Sequence, residues 1–578
     1  MTAARHNTVF KTLTSDRSLW WLPGLLSLLV ISAIVFAPAV ALLRNINSAV
    51  LLDPFTDPWL QRVIIFSFYQ AFLSTVLSVV LAMPLAHILA RRRQFPGRNQ
   101  LLALFTLAFI IPTIVAVFGI VAIYGSNGWI NQLWQALAPM FSSTGDSGSG
   151  LAEKRSLIGS IYGLPGILLA HVFFNLPFAT RVFLQSIEAI PVHDRKLAAQ
   201  LGMTRLQSIR LLEWPAIRPQ VAGIALLVFT LCFTSFAIVL TLGGGPRATT
   251  IEVAIYQALR FDFDLGAAVA LALVQFTCCA VLVFLARRHS AADITISSYS
   301  NSEASEPNSQ AITSRNTRIN TQQATNFQAD SFFALLFDYG FIAIALSFVI
   351  LPMLALLVFA IKPALITVIS APLTLQATFN SIWVALASGI LCISLSTGIL
   401  LTSRHLDLRL GYPAIATTLQ TSGLLILVIP PLVLGTGLFL LLRNFADVFS
   451  LALLLVVLIN AVMGLPFAIR ILSVPLWRTA RRYDALADSL AINTVNRAKI
   501  VEWPLLKKPM AFAMAVTTTL SAGDLTAIAL FGSERVVTLP LLLYSRMGSY
   551  RMYEAAGTAL VLLIVCLLLF WSIERQGH

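Results

Sequence analysis

The residues with most chemistry to offer stand in a basic segment that occurs twice. Glu213-Trp214-Pro215 closes a stretch running from Arg181 to Pro219, and Glu502-Trp503-Pro504 closes another running from Arg470 to Pro509. In the first stretch Leu197, Ala198, Leu201, Leu206 and Ile209 sit among Arg195, Lys196, Gln200, Arg205 and Arg210. That mixture suits short amphipathic helices, which offer an apolar stripe to something else. Gly202 allows a turn without Cβ strain, and Pro215 and Pro504 suit the first turn of a following helix. Each copy is therefore predicted as a helix, a turn and a second helix. The chemistry is recognition, a helix laid into a partner's groove. A basic loop resting on an anionic leaflet explains the arginines but not the repeated Glu-Trp-Pro. Catalysis is not suggested, because no nucleophile-base pair or His/Asp metal cluster is visible. The chain is no ATPase either: a P-loop needs a Gly-Lys step, and no lysine here follows a glycine.

The repeat extends well beyond these segments. Leu176-Pro177-Phe178-Ala179-Thr180-Arg181 matches Leu465-Pro466-Phe467-Ala468-Ile469-Arg470, and at the same spacing Leu201 meets Leu490. Farther on, Ile238 to Gly243 faces Ala527 to Gly532, and after a one-residue slip Tyr256 faces Tyr544. Upstream, Ser67, Ala71 and Ser74 match Ser381, Ala385 and Ser388 at a different spacing, which places extra residues of the first copy near the polar stretch 142–155. Insertions that leave flanking repeats intact belong in loops.

What must position these segments is a membrane scaffold. Hydrophobic residues make up 58% of the 578-residue chain and charged residues 11%, a composition foreign to soluble domains of this length. A span of about 30 Å of hydrocarbon takes roughly 20 helical residues. Runs of that kind lie near 20–42, 63–90, 101–124, 163–186, 220–242 and 266–286, then near 333–361, 378–402, 414–442, 449–472, 510–532 and 555–574. They lack the alternation of barrel strands, and lipid leaves no backbone group unpaired, so all-α is the predicted class with about 12 transmembrane helices. The run at 20–42 is too long for a signal-peptide core and is expected to be retained. Arg91, Arg92, Arg93 and Arg98, both basic segments, and Arg287 and Arg288 orient the set: these loops and both termini are expected to be cytoplasmic. The net charge of +14 is thus a topology signal, and nucleic-acid binding is not expected.

Three parts follow: a first half, 1–288, with its cytoplasmic loop at 187–219; a polar linker, 289–330; and a second half, 331–578, with its loop at 476–509. The linker is rich in Ser, Asn, Thr, Gln and Ala and buries too little apolar surface to fold alone. Cys232, Cys278, Cys279, Cys392 and Cys566 lack metal-ligand spacing and are expected to pack as small apolar groups.

The segments resemble the signature loop of ABC importer permeases at Lys196 to Gly202 with Leu211 to Pro215, and at Ala485 to Ala491 with Ile500 to Pro504. Over nearly the whole chain outside the linker, the sequence is similar to the fused, two-copy permeases of bacterial thiamine importers. Residues 166–175, Leu197 to Met203 and residues 243–252 carry that likeness. The resemblance implies two six-helix halves of type I importer kind in the bacterial inner membrane. It also implies two copies of a cytoplasmic ATPase subunit docked on the loops, a periplasmic substrate-binding protein, a thiamine-like small-molecule substrate, and no cofactor of its own. It assigns coupling to Lys196, Leu197, Ala198, Gly202, Glu213 and Pro215, and to Ala485, Leu486, Ala487, Ala491, Glu502 and Pro504. Two departures stand out. The loop's eponymous glutamate is Lys196 in one copy and Ala485 in the other, and the second turn glycine is Ala491, so a glutamate-mediated contact does not carry over. Asp194 and Asp484 offer nearby negative charge.

For the translocation path the sequence offers Asp524, inside the eleventh run, and its counterpart Ser235. Intramembrane carboxylates are costly and usually face a cavity, although a local backbone hydrogen bond is an equal alternative. His171 and Asn175 are expected to make structural hydrogen bonds. On the outer face, Gly243 to Asp264 and Ser533 to Arg551 form paired polar connections. A ferric-ion importer permease remains the nearest alternative. A proton-coupled twelve-helix carrier is less favoured, since it gives no reason for two docking-type loops.

Overall fold

The computed structural model describes residues 22–44, 56–92, 95–107, 110–126, 128–141, 161–289, 332–361, 364–424, 426, 429–490, 492, 494–533 and 536–577. Among them every regular element is a helix, the all-α class expected, and eleven helices are long and apolar enough to cross a membrane. The 142–155 stretch and residues 290–330 of the linker lie outside the described residues.

The twelve expected runs correspond to these helices with two kinds of departure. The run at 101–124 is split into Arg98–Leu107 and Thr113–Tyr124, and the run at 414–442 into Pro413–Leu424 and Pro431–Leu442. Pro112 and Pro430 stand immediately before the second pieces, and proline drives the residue before it out of helical geometry. The fifth span of each half is also interrupted. Trp214–Phe233 is followed by the short helix Ala237–Leu242, and Trp503–Ala522 by Thr526–Phe531. Such breaks are tolerated at membrane depth where protein surrounds them; all of Ile114 to Ile123 is buried.

Two compact units emerge, and their limits cut across the sequence repeat. One comprises the described residues of 61–253 and 281–362; the other comprises those of 1–60, 254–280 and 363–578. In the first unit, helix Phe332–Ala360 packs on Thr113–Tyr124. A Cβ on Gly119 would stand 2.4 Å from the Pro352 carbonyl oxygen, so only glycine permits that approach. In the second unit, helix Leu22–Arg44 packs on Pro372–Leu408 and Pro431–Leu442. Its Gly24 N–H donates to Thr402 Oγ1 at 3.0 Å, and its Pro38 lies against Gly437. The opening helix of each repeated half thus packs in the unit that carries the other half's basic segment.

Polar side chains tie the remaining helices within each unit, as hydrogen bonds do where no water competes. In the first, Ser74 Oγ meets His171 Nδ1 at 2.8 Å and Gln70 Nε2 donates to the Cys232 carbonyl at 2.9 Å. Asn175 Nδ2 donates to Cys232 Sγ at 3.3 Å. In the second, Asn460 Nδ2 donates to Ser521 Oγ at 3.0 Å. The five cysteines are free; four are buried and Cys278 is half-buried. No metal-binding cluster occurs among the described residues.

Candidate functional site: two basic segments

The first segment begins where helix Leu164–Glu188 ends. Pro191 lacks an N–H to continue the ladder, so the chain breaks and restarts as Val192–Gln200. The Arg195 guanidinium spans the break and donates to the freed Ile187 carbonyl. Gly202 adopts φ +64°, the left-handed conformation that stops a helix, and the Met203 N–H closes the turn on the Ala198 carbonyl at 3.1 Å. Thr204 and Gln207 then form a capping box that starts Arg205–Ser208, satisfying two orphan donors reciprocally. That helix runs through a π turn, Ile209–Glu213, directly into Trp214–Phe233. The second arm is therefore continuous with a membrane helix, and Pro215 occupies its first turn.

Glu213 holds this arm. Its Oε2 lies 2.6 Å from His87 Nδ1, and His87 Nε2 lies 3.4 Å from Arg205 Nε. One ring nitrogen of His87 thus faces the Glu213 carboxylate and the other the Arg205 guanidinium. Arg205 Nη2 reaches Asp338 Oδ1 at 3.0 Å, and Arg92 Nη2 reaches Asp338 Oδ2 at 3.0 Å.

The second segment has the same parts on a different mount. Where the first copy has Pro191 the second has Ala480, and helix Ala452–Ser489 continues unbroken for 38 residues. Its turn closes in the same way, Ile492 N–H to the Ala487 carbonyl at 3.0 Å, and the same π turn, Ala498–Glu502, leads into Trp503–Ala522 with Pro504 in the first turn. Glu502 is buried and accepts from Arg404 Nη1 at 2.7 Å. Arg404 also donates to Asp484 at 2.8 Å, and buried Arg497 pairs with Asp484 and with Glu502. Arg409 pairs with Asp488 at 2.6 Å.

The two copies agree in what they leave exposed. Leu197 and Leu486 are 54% and 55% exposed, Leu201 and Leu490 64% and 63%. Leu211 and Ile500, and Trp214 and Trp503, are likewise exposed, while Ala198 and Ala487 are buried. Lys196 and Ala485 point to solvent, as does Gly202. Ala491 lies outside the described residues. Of the two acids offered as nearby charge, Asp484 is committed to Arg404 and Arg497, and Asp194 meets only its neighbour His193 among the pairs seen, at 2.9 Å.

Asp524 and Ser235 each fall at the break in a fifth span. Asp524 Oδ1 accepts from the Thr526 N–H and Oδ2 from the Ala527 N–H, both at 3.1 Å, which makes it the cap of the short helix Thr526–Phe531. Ser235 is half-buried, its N–H directed to the Cys232 carbonyl at 3.4 Å. The paired polar connections contain helices Ile251–Arg260 and Leu539–Gly548. Burial pushes the Tyr256 phenol up; the Tyr544 phenol is pushed up by burial and then by Tyr256. Arg260 donates to the Gly532 carbonyl at 2.8 Å.

Residues 78–292, which include the first basic segment, match the family described as binding-protein-dependent transport system inner membrane component. The thiamine transport system permease protein ThiP of Salmonella typhimurium is 42% identical over 556 residues, 96% of this chain and 96% of that protein. This chain belongs to that permease family. The ThiP protein of Haemophilus influenzae is 41% identical over 519 residues, 89% of this chain and 88% of its own length. The sulfate transport system permease protein CysT of Salmonella typhimurium is 30% identical over 263 residues, 45% of this chain. The permease is accordingly a multi-pass transport component of the inner membrane rather than an enzyme.

Four residues that hold the permease's segments were missed in the sequence: His87, Asp338, Arg404 and Arg497. For Asp338 a signal existed, an acid within an otherwise apolar run, which is costly unless paired. For His87 and Arg404 none did, because each stands far along the chain from the glutamate it meets.

Proposed function

We propose that the chain is the membrane-spanning permease of an ATP-driven importer that carries thiamine or its phosphates from a periplasmic binding protein to the cytoplasm. Its two repeated halves each present one docking segment to one of two cytoplasmic ATPase subunits, and both termini are cytoplasmic. The observation that carries the docking part is the duplicated row of exposed apolar residues, Leu197, Leu201, Leu211 and Trp214 against Leu486, Leu490, Ile500 and Trp503. Neither fold nor solubility requires these side chains outside, and a row of this kind on a helix fits a groove. The thiamine part rests on likeness to permeases named for thiamine transport along nearly their full length, which favours it over ferric ion. Each docking arm continues as a membrane helix through a π turn, so closure of the ATPases moves Trp214–Phe233 and Trp503–Ala522 directly. The ATPases drive transport by binding one permease state more tightly than the other. Asp524 and Ser235 are the path residues in this reading, each at an interrupted helix.

The test is ATP-dependent uptake in proteoliposomes holding the permease, its ATPase and its binding protein. Thiamine accumulation that stops without ATP is the expected result. Ferric-ion accumulation instead, or thiamine uptake driven by a proton gradient without ATP, would overturn the substrate or the class. Leu201→Asp and Leu490→Asp each remove apolar burial worth about 1.5–3 kcal/mol and are expected to weaken capture of the ATPase at least tenfold.

A further inference from the structure

We propose that Asp338 is a positioning residue for the first docking segment, fastening it through Arg205 to the helix that opens the second repeated half. The inference rests on the docking reading above.

Asp338 is fully buried in helix Phe332–Ala360, and two sources of positive charge converge on it. Arg91 and Arg92 reach its Oδ2 at 3.6 and 3.0 Å from the end of helix Pro58–Arg91; Arg205 reaches its Oδ1 at 3.0 Å from the docking segment. Arg205 also touches His87 at 3.4 Å, and His87 touches Glu213 at 2.6 Å. The chain Asp338–Arg205–His87–Glu213 therefore grips the second arm at both ends, residue 205 and residue 213.

The second segment has no need of such a tie. Its carboxylates Asp484 and Asp488 stand on helix Ala452–Ser489, which runs on through Pro466 and Pro475, so segment and membrane helix form one continuous rod. In the first segment Pro191 interrupts that rod, and a displacement of Leu164–Glu188 reaches the docking row only through a joint. Asp338 supplies the missing constraint from elsewhere. The position matching Asp338 in the opening helix of the first half is Gly24, packed against Thr402, so the tie exists in one copy alone. The consequence is mechanical: a shift of helix Phe332–Ala360 is delivered to the first docking segment through one charge-assisted contact, geometrically directed because the carboxylate is buried.

The experiment uses the full chain reconstituted with its ATPase and binding protein, reading ATPase capture, thiamine moved per ATP hydrolysed, and thermal midpoint. Arg205 is half-exposed, and its removal leaves Asp338 paired with Arg91 and Arg92, so Arg205→Ala is expected to keep the thermal midpoint while lowering thiamine moved per ATP about fivefold or more. Arg205→Lys is expected to restore most of the loss, since it returns a cation within reach. Leu201→Asp serves as the docking control and is expected to weaken capture at least tenfold. An unchanged ratio in Arg205→Ala, with Leu201→Asp still weakening capture, overturns the positioning role and leaves the docking reading standing. Full capture by Leu201→Asp overturns the docking reading. A ratio that falls only alongside the midpoint, with no rescue by lysine, makes the contact merely structural and also overturns the proposal.

Discussion

The two basic segments share backbone, turn closure, π turn and exposed row, yet they are anchored by different means. The second is held by ion pairs drawn entirely from its own half: Arg404 and Arg497 among Asp484, Asp488 and Glu502, on a helix that runs without interruption. The first is held by the imidazole of His87 and by a carboxylate, Asp338, borrowed from the other half's opening helix. A duplicated surface can thus be kept while its support diverges. What a partner touches is constrained by that partner, whereas a support has many solutions that place the same surface equally well.

The comparison can be broken most sharply at Arg404. Arg404→Met leaves buried Glu502 and half-buried Asp484 to share Arg497, and losing one partner of a buried pair costs up to about 3–5 kcal/mol. A clear fall in thermal midpoint of the purified permease is expected. Next comes the rod itself. Ala480→Pro places in the second copy the proline that the first copy carries at 191, at a cost of about 3 kcal/mol or more in a helix interior; spin-label distances across residue 480 would show the break. The reverse change, Pro191→Ala, is expected to shift the midpoint by less than about 1 kcal/mol, because the joint is already satisfied by Arg195. His87→Ala removes one hydrogen-bonded pair and is expected to cost about 1–2 kcal/mol, less than Arg404→Met by the same thermal assay. A loss equal to that of Arg404→Met would erase the distinction between the two anchors. The smallest effect is at the helix breaks. Asp524→Ala removes a cap worth about 1 kcal/mol, whereas Ser235→Ala, which caps nothing, is expected to leave the midpoint unchanged. A larger fall in thiamine uptake than in stability for Asp524→Ala would mark the carboxylate as part of the path.

Much of this was legible in the residues. Glu-Trp-Pro twice, Gly202 and the amphipathic spacing of Leu197 and Leu201 located both segments, because capping, turn and periodicity are local properties that a few neighbouring residues determine. The prolines at 112 and 430 carried the broken third spans equally well, although a hydrophobic run conceals them when only its length is read. The interruption at 234–236 has no such marker: neither proline nor glycine stands there, and nothing in the residue types accounts for it.

By itself the sequence determined a membrane-embedded, all-helical permease with a duplicated basic segment, since apolar run length, repeat and turn chemistry are written along the chain. The tertiary structure alone decided what those segments rest on. It brought Asp338 to Arg205, His87 to Glu213 and Arg404 to Glu502, and it packed the opening helix of each half in the unit of the other. Those pairings join residues about one hundred or more positions apart, and a long-range ion pair leaves no periodic trace. Its energy depends on burial and distance, which only the packed helices supply.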